Sequence, residues 1–116
     1  MNQKITSIKC VIVRAIMVKH RKGTQIPIEI VIEKYENGNM IEEYASFCRP
    51  EGLIVLPKEM PNYITSDIIK SAPIESIVAK QIKDFIGDAE LEGKYANEIA
   101  QFVRLQDENN ANLMMM

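Results

Sequence analysis

The sequence has one histidine, two cysteines, no tryptophan and an aromatic content of only 6%. Each scarcity removes a class of chemistry. His20 stands among Lys19, Arg21 and Lys22 with no Asp, Cys or second His beside it. A lone histidine of this kind is a poor candidate for metal ligation or general-base work. Cys10 and Cys48 each lie in a strand-like run without a CxxC pair or a nearby His, which argues against a metal or redox site and for two buried free thiols. Few aromatic faces leave little on which nucleic-acid bases could stack. Fourteen basic side chains against 16 acidic ones give a net charge of −2, and so no global attraction to nucleic acid or an anionic membrane. No window reaches the apolar length of a membrane span, and MNQKITSIKC lacks an apolar core of signal-peptide length. A soluble, cytoplasmic protein with no membrane partner is expected.

What is present is a strong hairpin signal. In IPIEIVIEKYENGNMIEEYASFCRP, from Ile26 to Pro50, Ile28, Ile30 and Ile32 alternate with Glu29 and Glu33, the period of a strand with one buried face. Asn37-Gly38 supplies the two positive φ angles of a type I′ turn. A two-residue loop sets Glu36 opposite Asn39, Tyr35 opposite Met40 and Glu33 opposite Glu42. Opposed glutamates are unfavourable, so a three-residue loop with a Gly bulge stays open as the alternative. Glu33 and Glu42 could share a divalent cation if other oxygens joined them, but exposed strand glutamates normally just face water.

A chain of 116 residues has the length of one domain with a real core. Residues 1–106 are expected to form that single domain, and 107–116 a flexible tail. Ile5 to Val18 ends in an apolar, β-branched run that suits a central strand buried on both faces. Arg14 interrupts it. Its guanidinium must find a carboxylate, carbonyls or water, and the simplest expectation is a glutamate of the hairpin; the sharper one is a phosphate or a partner's acid. Lys19 to Gly23 reads as a solvated basic loop, or else a phosphate-contacting patch. Arg49 to Pro61, with three prolines and a glycine, reads as a surface connector with Ile54 and Leu56 pinned to the core. Thr65 or Ser66 caps a short helix through Ser71, and Pro73 opens a second helix that Gly87 ends. On the second helix Ile74, Ile77, Val78, Ile82, Phe85 and Ile86 are expected to face the sheet. A short strand over Glu90–Tyr95 and a helix over Asn97–Gln106 complete the domain.

The order of these pieces resembles the N-terminal part of the DnaQ-like (DEDD-type) 3′-to-5′ exonucleases, the group that includes bacterial proofreading domains and ribonuclease T. IEIVIEKYENGNMIEEYASFCRPEG is similar to the second and third strands of that family. LPKEMPNYITSDIIKSAP looks like the stretch leading into its short helix, and PIESIVAKQIKDFIGDAEL like its next helix and strand. The resemblance spans Ile28 through Val103, about two thirds of the chain. It implies a mixed α+β (α/β) architecture: a truncated ribonuclease H-like fold with three antiparallel strands plus a short parallel strand, and two to three helices packed on the sheet.

The family's chemistry is two-metal phosphodiester hydrolysis, in which carboxylates hold two divalent cations. At those carboxylates this sequence departs from the pattern. The first-strand motif places an Asp and a Glu two residues apart, where VIVRAIMV has Arg14 and Ile16. The second offers a His-Asn pair followed by an Asp, where LEGKYANEIAQFV has Lys94, Tyr95 and Ile99. The third lies in the family's C-terminal part, past the end of this sequence. Glu92 or Glu98 could replace one missing ligand but not the whole set, and an arginine puts a cation where metal should sit. The expectation is therefore a catalytically inactive exonuclease-like domain without cofactor or small-molecule substrate. It would act as an interaction or regulatory module, as a homo-oligomer or with a protein partner. The alternative is a non-cleaving nucleic-acid-binding protein using Arg14, Lys19, Arg21, Lys22 and Lys94; an active metal-dependent exonuclease comes last.

Overall fold

The structure, a computed structural model, describes residues 7–20, 23–52, 54–55 and 59–114, with the side chains of 54–55 and 109–114 outside the description. Five strands and three helices follow one another as β1 (Ile8–His20), β2 (Gln25–Glu36), β3 (Asn39–Phe47), β4 (Ile54–Val55), α1 (Ser66–Ser71), α2 (Glu75–Ile86), β5 (Glu90–Gly93) and α3 (Ala96–Met114). The order β3-β2-β1-β4 is antiparallel throughout, and β5 lies parallel to the first half of β1. This is the expected mixed α+β arrangement of three long antiparallel strands plus a short parallel one, with the two-residue β4 as a fourth antiparallel strand. The shortest dimension, 23 Å, fits one sheet and one layer of helix.

The hairpin forms at Asn37-Gly38, whose φ angles of 52° and 86° are the positive values a type I′ turn needs. The turn is also tied to the start of β1: the Asn37 N–H donates to Ser7 O at 3.0 Å, and Ser7 N–H to Asn37 Oδ1 at 3.3 Å. Glu36 faces Asn39 and Tyr35 faces Met40, as a two-residue loop requires. The register then shifts, so that Lys34 faces Glu42 and Glu33 faces Glu43. The extra residue is Ile41, and its insertion gives Glu42 a cation to face in place of Glu33.

One face of the sheet carries the core. Ile26, Ile28, Ile30 and Ile32 of β2 are almost wholly buried, together with Cys10, Ile12 and Val18 of β1, Val78, Ala79 and Ile82 of α2, and Ile99 and Phe102 of α3. The α2 positions recur at helical spacing, but the buried face runs through Glu75, Val78, Ala79 and Ile82, which leaves Ile77 exposed. Ile77 is one residue away from that stripe, so its apolar character alone misplaces it. Pro27 is buried too, at a register shift between β1 and β2. Such irregularities tolerate a residue with no N–H to give.

Other expectations need correction. β1 is central, yet it is not buried on both faces, because Val13 is 50% exposed where the β1–β2 register slips between Ile12 and Arg14. The connector contains β4, paired with Lys19 and His20; two residues carry too little pattern to stand out from a proline-rich stretch. The expected anchoring of Ile54 and Leu56 lies outside the described residues. Pro73 precedes the cap of α2, Ile74, and does not occupy its first turn. α3 continues past Gln106 to Met114, where an unstructured tail was expected from residue 107. No Gly or Pro occurs in DENNANLM, so nothing there stops a helix already begun.

Gly93 ends β5 at φ 108°, and a Cβ there would stand 2.7 Å from the carbonyl oxygen of Ile12. Only glycine allows β5 to sit this close to β1 in this conformation. Gly93→Ala should destabilise the domain by about 2–3 kcal/mol, read as a lower midpoint in urea unfolding with an unchanged slope.

Candidate functional site

Arg14 is placed by the irregularity of β1. Ile12 faces Ile32, the next residue bulges, and Arg14 pairs with Val31 while Ala15 pairs with the buried Ile30. The small Ala15 thus takes the core side, and Arg14 points to the sheet face opposite the helices. There its Nη1 donates to the Tyr63 hydroxyl at 2.7 Å and lies 3.8 Å from Glu29 Oε1. Tyr63 in turn donates to Glu29 at 2.5 Å. Glu29 belongs to the hairpin, so the guanidinium meets the simplest expectation made for it. The hydrogen bond to Glu29 pushes the Tyr63 phenol up from its ordinary range, against the opposing pull of Arg14.

Arg14 and Lys94 line one open cleft of about 340 Å³, with Ile12, Val13, Ala15, Ile16 and Tyr95. The topology brings them together. β5 runs beside β1 until Gly93 meets Ile12, and Lys94 and Tyr95 then turn into α3 with Tyr95 at φ 68°. The Lys94 ammonium lies 5.1 Å from the centroid of the Tyr95 ring. Two of the five candidate cations therefore share a site. Lys19 is exposed near the far end of β1, facing Gln25 and Val55 in register, and does not line the cleft. Arg21 and Lys22 lie outside the described residues.

His20 has an acid that its sequence neighbourhood does not reveal. Its Nε2 lies 3.3 Å from Oε2 of the buried Glu75, whose other oxygen accepts from Gln106 at 3.3 Å. The end of β1, the start of α2 and the middle of α3 are joined through one carboxylate. That partner comes from α2, far along the sequence, so no local spacing could have signalled it. Glu33 does not face Glu42, and it accepts a hydrogen bond from Tyr35 at 2.7 Å. Among the described residues, no group of three or more His, Cys, Asp and Glu side chains gathers closely enough to hold a metal ion, and no helix is long and apolar enough to cross a membrane. The groove between α2 and α3, about 210 Å³, is also charged. Its charges answer one another, through Lys83–Asp107 at 2.8 Å and Lys80–Asp84 at 3.7 Å.

No protein-family model matches this chain, and no curated protein matches it.

Cys10 and Cys48 are free and buried. Burial, reinforced by the carboxylates of Glu75 and Glu51, pushes the Cys48 thiol up to about 12, and burial raises Cys10 as well. Neither thiol should react with Ellman's reagent at neutral pH until the protein is unfolded, when both should. A raised thiol pKa adds stability that is intact below the ordinary value of 9.0 and is lost as pH climbs toward about 12. Cys48→Ala should flatten that alkaline decline in urea-unfolding measurements.

Proposed function

We propose that this chain is a non-catalytic protein-interaction module, a degenerate relative in form of the exonuclease domains it resembles, and that β3 is its docking element. The observation that carries this reading is the outer edge of β3. The strand is nine residues long and ends the sheet. Among the described residues nothing pairs with its far side. Met40 and Ile41 stand on it at 52% and 45% exposure. Unpaired backbone donors and acceptors beside adjacent exposed apolar side chains form a template for a further strand.

A second copy fits this edge in an arrangement that separates the acids. Antiparallel pairing centred on Tyr44 sets Ile41 against Phe47 of the other copy, Glu42 against Ser46 and Glu43 against Ala45. It keeps the glutamates from facing each other, whereas pairing centred between Glu42 and Glu43 opposes them twice. The acids thus disfavour some registers as well as discouraging random association.

Two measurements test the proposal. Light scattering on a sizing column should give the mass of a dimer, and Ile41→Glu should return a folded monomer; a clean monomer of the unaltered chain, with no co-purifying protein, would count against it. The absence of catalysis is tested separately. Incubated with single-stranded DNA or RNA and Mn²⁺ or Mg²⁺, the pure protein should leave the nucleic acid intact, since Arg14 and Ile16 stand where metal-binding acids would be needed. Cleavage that follows the protein through purification and stops with EDTA would refute this.

A further inference from the structure

We infer that the cleft at the β1 bulge binds a phosphate group. Its two cations are not neutralised in the same way as those of the groove between α2 and α3. Arg14 spends one nitrogen, Nη1, on Tyr63 and Glu29. Its other N–H groups have no partner among the described residues, and a guanidinium carries five. The Tyr63–Glu29 pair restrains the guanidinium through that one nitrogen and leaves its remaining donors available. This holds the arginine in place before any ligand arrives, which lowers the ordering cost of binding. Lys94 has no carboxylate partner among the described residues. Its contact with the Tyr95 ring restrains the ammonium without cancelling its charge.

The remaining walls suit a small anion. Ile12, Val13, Ala15 and Ile16 bring no competing acid, and their apolar atoms reduce solvent screening of the two cations. α3 starts beside Tyr95, so its N-terminal partial charge is positive toward this end, although Glu98 in the first turn offsets part of it. The two side-chain cations must therefore supply most of the attraction. A phosphate monoester matches them: its oxygens suit both the fork of an arginine whose charge Glu29 only partly offsets and the point charge of a lysine. The inference does not depend on β3 as a docking element, since the cleft lies on the other edge of β1 from β2 and β3.

The test is an amide chemical-shift titration of the full-length protein at low ionic strength. Inorganic phosphate should produce saturable shifts at Ile12–Ile16 and at Lys94 and Tyr95, and potassium chloride at matched ionic strength should not. Lys94→Ala removes an exposed side chain and should weaken the binding at least about tenfold; Arg14→Lys, which keeps the charge but loses the fork, should weaken it as well. Tighter binding of thymidine 5′-monophosphate than of phosphate would make a terminal phosphate the natural ligand. Tighter binding of a short oligothymidylate without terminal phosphates would make it a phosphodiester. The inference is overturned by the absence of saturable shifts, by equal shifts with chloride, or by affinity that Lys94→Ala does not change. Each of these outcomes can occur whatever mass light scattering returns.

Discussion

Ile26, Ile28, Ile30 and Ile32 all point from β2 into the same core, and none is more than 1% exposed. Full burial of such a side chain contributes about 1.5–3 kcal/mol, so this row is the largest concentrated source of stability that one strand supplies. The same cluster holds Val78 and Ile82 of α2, Ile99 and Phe102 of α3, and Cys10, Ile12 and Val18 of β1. Two helices and the neighbouring strand therefore have one common surface to cover. The sheet can then leave β3 at its margin and most of the opposite face to water, because what holds the layers together lies on one side of one strand.

Alternation made that row legible in the sequence, and Asn37-Gly38 made the turn beside it legible, because both are local signals with a steric cause. The cap of α1 at Thr65, which accepts the Ile68 N–H at 3.2 Å, and the stop of α2 at Gly87 are of the same kind. The bulges were not visible. At Val13 and Ile41 an extra residue goes into a strand whose composition is unchanged by it, and pattern counting sees only continuous apolar or alternating runs. The bond between His20 and Glu75 was equally hidden, since the two residues meet only when α2 packs near the end of β1. Of the candidate site, Arg14 could be singled out as a charge in an apolar run, and its pairing with a hairpin glutamate followed from the cost of burying it alone. That Lys94 shares its cleft, and Lys19 does not, depends on where β5 ends.

The charges are divided between the two margins of the antiparallel ribbon. Beyond β2, Glu42 and Glu43 sit on an edge strand with no ion pair among the described residues. Beyond β1, Arg14 and Lys94 border a cleft where, among the described residues, Glu29 is the one acid paired with the arginine. A net charge of −2 conceals this separation, because the opposite signs cancel in the sum and not in space. Association at the acidic margin and anion capture at the basic one would depend on ionic strength to different degrees, since exposed charges on a flat edge are screened more than charges beside apolar walls.

The bulge at Val13 shows how little change is needed to place a charge on this scaffold. Side chains in a strand alternate between two faces, so one inserted residue exchanges the faces of everything after it until a second irregularity restores the order. Were Val13 paired in regular alternation instead of bulged, Arg14 would face Ile30 in the core and Ala15 would face outward, with no substitution anywhere in the strand. Whether one residue bulges or pairs thus decides if this strand buries its cation or presents it.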